Sequence, residues 1–490
     1  MLFNSLSYIF LFIPLTVIIY FFLSKYKLVK VANGWLLCTS LFFYGYWNPK
    51  YIFLIIVSML ANYFTGTILF RRPISRYIRK VILVSTICFN LFLLGYFKYF
   101  NFFIENVDYF FRINIHIKQI VLPLAISFFT FQQIAFLVDS YKEKIKTCNF
   151  LNYCMFIAFF PQLIAGPIVL YNEMISQFES LRNKIPNYKN ISIGLFLLSI
   201  GLFKKTVLAD SLAQWANIGF DGLRSLNFFT AWITSLSYTF QLYFDFSGYT
   251  DMALGSAYFF NVKLPSNFNS PYKATNIQDF WRRWHIKLGR FFKRYLYIPL
   301  GGNRTGDLRT FFTLFFVFLI GGIWHGAGWT FAVWGALHGL CMIFHRIWQK
   351  LNIKIPQFIA WFLTFNFVNC TWIFFRAKSF EDVYKIISEM FNFNDIYFKD
   401  LLQFLSHNKG FLGEYELSFL FQKVPLGQNQ IAMILIIMSF LILFFPQNSF
   451  QMIEDYKPSS LRTVFSCILC FCGLLTFLSE IPSKFIYFQF

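Results

Sequence analysis

From residue 6 to residue 23 the chain carries no charge, and its first ionised side chain is Lys25. A run of that length reaches the ~18 residues at which a helix can cross a bilayer, and inside lipid only a helix or a closed barrel satisfies its own backbone groups. Uncharged stretches recur at residues 31–49, 51–70, 81–97, 119–138, 147–172, 190–203, 225–244, 355–375, 424–453 and 463–479, and residues 310–344 hold room for two crossings. A cleavable leader fits the first stretch poorly, because no basic region precedes it and no small-residue cleavage site follows. The expected fold is all-α: a polytopic integral membrane protein of about 11 to 13 membrane segments around a central tunnel. Residues 190–203 and 252–262 are too short to span at ~20 residues per crossing and are predicted to be short re-entrant or broken helices that line a cavity.

Composition agrees. The 490 residues are 57% hydrophobic and 13% charged, about half the ~25% of charged residues in a soluble domain, and 72 of them are Phe. Disorder is excluded by the same aromatic wealth.

A net charge of +21 would suggest nucleic acid in a soluble chain. Here the basic residues gather in short loops: Lys25, Lys27 and Lys30; Arg71, Arg72, Arg76, Arg79 and Lys80; Lys142, Lys144 and Lys146. The positive-inside rule places these in the cytoplasm, with both termini extracytoplasmic. Residues 263–309 hold ten basic residues against Asp279 and Asp307 and are assigned to the cytoplasmic interface, whereas residues 376–430, near neutral with Glu381, Asp382, Glu414 and Glu416 among their acids, form an extracytoplasmic loop. That loop has amphipathic helical spacing at Phe380, Val383, Ile386, Ile387 and Met390. We treat residues 1–490 as one membrane-embedded domain whose motif-bearing core is 120–348. Nine cysteines lie mostly in apolar runs, and Cys467-x-x-Cys470 has no His or acid beside it, so inert thiols are expected rather than a redox or metal site.

No nucleotide-phosphate loop, H-E-x-x-H or G-x-S-x-G elbow occurs. The chemistry is therefore sought among polar residues in apolar surroundings, which are costly to keep in a membrane. His325, in GGIWHGAGW (residues 321–329), is the leading catalytic candidate. Gly321, Gly322, Gly326 and Gly328 allow the backbone to break or a substrate to approach, and Trp324 and Trp329 are expected to wall the site. The plainer explanation is an interhelical histidine with glycines for close packing. His285 is the second candidate, in DFWRRWHI (residues 279–286), where Arg282, Arg283 and Trp284 sit in a basic-aromatic stretch suited to the headgroup region and to the phosphates of a polyanionic donor. Asp245 and Asp251 interrupt an apolar region and are expected either to organise the site or to anchor Arg282 or Arg283; as two membrane carboxylates they also permit an ion-coupled transporter. Gln132 belongs to a polar strip with Ser127, Thr130, Gln133 and Asp139, explained by helix-to-helix hydrogen bonds or by a lined tunnel. His338 and His345 are taken as structural or interfacial.

The strings SFFTFQQIAFLVDSYK (127–142), YTFQLYFDFSGYTDMALG (238–255), NFNSPYKATNIQDFWRRWHI (267–286), YLYIPLGGNR (295–304) and GGIWHGAGWTFAVWGALHG (321–339) resemble the membrane-bound O-acyltransferases, in particular the bacterial alginate and peptidoglycan O-acetyltransferase branch. The resemblance covers about residues 1–378. It implies an enzyme of the bacterial cytoplasmic membrane that passes an acyl group from a cytoplasmic thioester through a protein core to a hydroxyl, with no bound cofactor or metal. His325 matches the family's essential histidine and His285 its second motif position. It further implies acetyl-CoA as donor, a cell-surface polysaccharide as acceptor (peptidoglycan or an alginate-like glycan) and an extracytoplasmic partner transferase. The chain departs from the family pattern at residues 286–289 and 293–295, where it is more basic. Two alternatives remain open: D-alanyl transfer to teichoic acid from a carrier protein, and an ion-coupled transporter or flippase.

Overall fold

The computed structural model describes residues 1–70, 74–113, 118–145, 147–164, 166–222, 225–304, 306–393, 426–444, 447–454, 456–478 and 485–486. Arg71, Arg72, Lys146, Glu414 and Glu416, which help to orient the chain by charge, lie outside them. The described residues are helical and contain no strand. The chain divides into two compact units, one of residues 1–195 and 252–265, the other of residues 196–251 and 266–490.

In the first unit the long helices are α1 (Tyr8–Lys25), α2 (Val29–Gly45), α3 (Lys50–Phe70), α4 (Arg76–Phe111) and α5 (Ile126–Tyr141). Ser75 caps α4 by accepting from the Ile78 N–H, and Arg112 ends it in a left-handed conformation. Polar side chains facing one another hold these helices in register: Ser58 Oγ and Asn62 Nδ2 both donate to Gln133 Oε1, and Asn62 and Asn90 exchange amide hydrogen bonds at 2.7 and 3.0 Å. In a bilayer such bonds replace the hydrophobic drive that water supplies to soluble helices.

The helical run α6 (Tyr188–Gly222) and the helix α7 (Phe228–Tyr258) each carry the chain from one unit into the other. Residues 190–203 and 252–262 were expected to be separate short pieces. Instead the first opens α6, a 35-residue run, and the second contains the last turns of the 31-residue α7. Charge suggests an end to each segment, but Lys204, Lys205 and Asp251 are paired inside the protein and end nothing. A π-helical stretch at Lys204–Ala209 widens α6 where the two lysines project.

The second unit continues with two short helices, α8 (Ile277–Arg283) and α9 (Ile286–Phe292), then α10 (Asp307–His325), α11 (Trp329–Leu351), α12 (Gln357–Arg376) and α13 (Phe380–Met390), and, beyond residue 425, α14 (Gln428–Phe444) and α15 (Ser460–Leu478). A Ser379–Asp382 capping box starts α13, which buries Val383, Ile386 and Met390. Seven helices among the described residues are long and apolar enough to cross a membrane, and α14 is a shorter apolar helix.

The α10–α11 hairpin positions the leading candidate. The expected break at Gly321-Gly322 does not occur, for α10 runs unbroken to His325. Gly322 serves close packing with Gly335: a Cβ on Gly322 would lie 2.3 Å from the Phe331 carbonyl oxygen and 2.9 Å from the Gly335 Cα, and one on Gly335 would lie 2.5 Å from the Phe318 carbonyl oxygen, whereas one on Gly321 would make only ordinary contact with the Phe292 ring. Two backbones approach as only small residues permit.

Candidate active site

His325 is the last residue of α10 and is 4% exposed. Three aromatic rings stand around its imidazole: Trp324 at 4.9 Å between centroids, Trp334 at 5.2 Å and edge-on, and Phe375 at 5.2 Å. They come from α10, α11 and α12, so the cage assembles only when the three helices pack. Trp324, expected as a wall, does stand against the imidazole. Trp329 does not, being 58% exposed. Trp334 and Phe375 take its place, and the sequence held a signal for the first: Phe331, Trp334, Gly335 and His338 share one helical face of α11. Gly326 is extended, at φ −153°, and a Cβ there would strike the Phe331 ring at 2.1 Å, so its smallness admits a side chain of the protein.

His285 is fully buried between α8 and α9, in a left-handed conformation at φ +43°. Residues 267–269 run alongside and fix it: the Ile286 N–H donates to the Asn267 carbonyl at 2.9 Å, the Asn269 N–H to the Arg283 carbonyl at 2.9 Å, and the Lys287 N–H to Asn267 Oδ1 at 3.3 Å. The same Oδ1 lies 3.2 Å from His285 Nδ1. An oxygen already accepting from a backbone N–H takes the ring's Nδ1–H, so the neutral imidazole has its acceptor lone pair on Nε2. Burial pushes the His285 pKa down to about 3, which keeps the ring uncharged.

A continuous aromatic lattice links the two histidines through the second unit. From His325 it runs to Trp334, then to Trp372 at 5.6 Å, Trp284 at 5.0 Å, Phe268 at 5.1 Å, Phe246 at 4.9 Å and His285 at 4.9 Å. Trp284 is thus a fully buried member of this lattice. Arg282 is exposed, whereas Arg283 is held by Asp279 at 2.8 Å.

Neither carboxylate anchors Arg282 or Arg283. Asp245 contacts Lys205 Nζ at 2.5 Å and accepts from the Ile486 N–H at 2.9 Å; Asp251 contacts Lys204 Nζ at 2.7 Å and accepts from Ser449 Oγ at 2.7 Å. Lys205 also binds Asp210 at 2.7 Å. Neither lysine stood out in the sequence as a site residue, although their adjacency at the end of an apolar run, in one stretch with two buried carboxylates to follow, was the available signal. Gln132, 2% exposed, lies on α5 in the first unit.

His338, buried completely, is not interfacial: its Nδ1 accepts from Trp281 Nε1 at 3.3 Å and its Nε2 lies 3.0 Å from Thr371 Oγ1.

Comparison with known proteins agrees with the motifs. The chain is 43% identical to the peptidoglycan O-acetyltransferase of Helicobacter pylori, over all of this chain and 98% of that one. It is 34% identical to the probable alginate O-acetylase AlgI of Pseudomonas aeruginosa, over 80% of this chain and 75% of the relative, and 26% identical to the teichoic acid D-alanyltransferase of Bacillus subtilis, over 53% and 69%. The sequence profile of the membrane-bound O-acyltransferases matches residues 86–381, a span that contains both histidines and every ring of the lattice between them. The chain belongs to the membrane-bound O-acyltransferase family.

Proposed function

We propose that this protein is an O-acetyltransferase that takes acetyl from a cytoplasmic thioester, acetyl-CoA, and delivers it across the membrane for transfer to hydroxyls of a cell-surface polysaccharide, peptidoglycan above all. The observation that carries the reaction is the buried His325 imidazole in its cage of Trp324, Trp334 and Phe375. The names of the relatives at 43% and 34% identity support the acyl group and the class of acceptor.

A hydroxyl is a poor nucleophile at neutral pH, and an imidazole in reach can remove its proton as the oxygen attacks the thioester carbonyl. The C–O bond forms, a tetrahedral oxyanion develops, and its collapse breaks the C–S bond. The departing thiolate takes the proton that His325 removed, so ester and thiol are the products and no net proton is consumed. Aromatic walls exclude water, which would otherwise hydrolyse the thioester. His285, neutral and with Nδ1 committed to Asn267, carries its acceptor lone pair on Nε2; it orients a hydroxyl or thiol in preference to stabilising an oxyanion.

The cytoplasmic membrane and extracytoplasmic termini belong to the same proposal, resting on the distribution of Lys and Arg among the loops; an extracytoplasmic partner transferase belongs to it as what the family resemblance implies. D-alanyl transfer is the weaker reading, with its relative at 26% identity over half the chain. Ion coupling is disfavoured because each carboxylate it would use is closed by a lysine. The test is purified protein in proteoliposomes with labelled acetyl-CoA. Label transferred to a glycan or partner hydroxyl supports the proposal; movement of solute without ester formation, or dependence on an aminoacyl carrier protein, contradicts it.

A further inference from the structure

His338 has no part in the chemistry above, yet it is completely buried and both of its ring nitrogens have a hydrogen-bond partner. An indole N–H can only donate, so the 3.3 Å contact from Trp281 Nε1 makes His338 Nδ1 an acceptor and leaves the proton of the neutral ring on Nε2. That Nε2–H donates to Thr371 Oγ1 at 3.0 Å, and the threonine hydroxyl passes its own hydrogen to the Val368 carbonyl at 2.9 Å. The chain of donors runs one way from α8 through α11 to α12. Trp334, one turn before His338 on α11, lies 4.8 Å from the His338 ring on one side and 5.2 Å from the His325 ring on the other. Trp281 also meets Trp334, at 5.8 Å.

We propose that His338 is a positioning residue for His325. Hydrogen bonds from Trp281 and to Thr371 fix its ring, its ring fixes Trp334, and Trp334 fixes the imidazole that removes the acceptor's proton. The same bonds tie α8, which carries Arg282 and Arg283, to the α10–α11 hairpin, so the segment offered to the donor and the base move as one body. This inference rests on the assignment of His325 as base.

Thr371 gives the cleanest test, because valine keeps its shape and removes only the hydroxyl. In proteoliposomes supplied with labelled acetyl-CoA at varied concentration, Thr371→Val should lower kcat about tenfold and leave the KM for acetyl-CoA within about twofold, the signature of lost transition-state alignment. Thr371→Ser, which restores the hydroxyl, should recover most of the wild-type kcat. Wild-type kcat in Thr371→Val, a change in KM alone, or an equal loss in the valine and serine variants would overturn the proposal. His325→Ala in the same assay separates the two levels: if it is inactive while Thr371→Val is unaffected, His338 has no positioning role and His325 stands as base, whereas activity in His325→Ala removes both.

Discussion

Trp334 meets His325 edge-on, with ring centroids 5.2 Å apart at an interplanar angle of 88°, although the two residues lie on different helices of a hairpin. The glycines of that hairpin make the meeting possible, since Gly322 and Gly335 let the α10 and α11 backbones close to where a β-carbon would not fit. The indole Nε1 of Trp334 is buried and has no acceptor among the described residues.

From that orphaned donor follows a separation of stability from activity. Trp334→Phe keeps an aromatic ring against His325 and deletes an N–H that costs stability while unsatisfied. Thermal unfolding in detergent should change by no more than a few degrees, while acetyl transfer should fall at least tenfold, the outcome for an N–H that serves the acyl oxygen; wild-type transfer would show that it does not. Trp334→Ala should instead destabilise by about 3 to 5 kcal/mol, as large-to-small changes at buried aromatic positions do.

Gly322→Ala should be disruptive, because its Cβ would meet the Phe331 carbonyl oxygen at 2.3 Å and the Gly335 Cα at 2.9 Å, both backbone atoms that cannot yield cheaply. Gly95→Ala, in a helix with nothing within 4 Å, should be neutral or stabilising by up to ~1 kcal/mol. Folded yield and melting temperature of the two variants side by side measure the difference.

Much of this was legible in the sequence. Uncharged runs gave the membrane-spanning class, and the amphipathic spacing of Val383, Ile386 and Met390 gave α13. Motif residues singled out His325 and His285, and both are buried. What could not be read was which polar residues satisfy one another. Lys204 and Lys205 looked like the end of a segment because a lysine in lipid is expensive, and only their contacts with Asp251 and Asp245 reveal why α6 continues through them. Trp329 was expected to be a wall because it follows His325 closely in the chain; the turn after His325 leaves it exposed and brings Trp334, further along α11, back against the ring.

The Lys205–Asp245 pair, each side chain 1% exposed, predicts strong asymmetry between its two single variants. Lys205→Met leaves the buried Asp245 carboxylate without its cation, whereas Asp245→Asn leaves Lys205 its ion pair with the half-buried Asp210. The first should cost about 3 to 5 kcal/mol and the second less. A double-mutant cycle on melting temperature should yield a coupling of at least ~1 kcal/mol; independent, additive effects would show that the pair is not formed.

The depressed pKa of His285 makes stability depend on acid in a stated direction. The unfolded imidazole titrates near 6.5 and the folded one near 3, so between these values the unfolded chain binds a proton that the folded one refuses. Stability therefore falls as pH drops from about 6.5 toward 3, by up to ~1.4 kcal/mol per pH unit from this residue. His285→Asn, which does not titrate, should show a shallower loss of melting temperature between pH 6.5 and 4.5. Identical slopes for the two proteins would show that His285 is not held neutral by burial.

The central claim is that the His325 imidazole removes the acceptor proton, and its most direct measurement is acetyl-ester content. His325→Ala, expressed to wild-type level in the membrane of a strain lacking the native protein, should leave base-labile acetate on the cell-surface glycan at the level of the empty strain. Wild-type ester content in that variant would contradict the account.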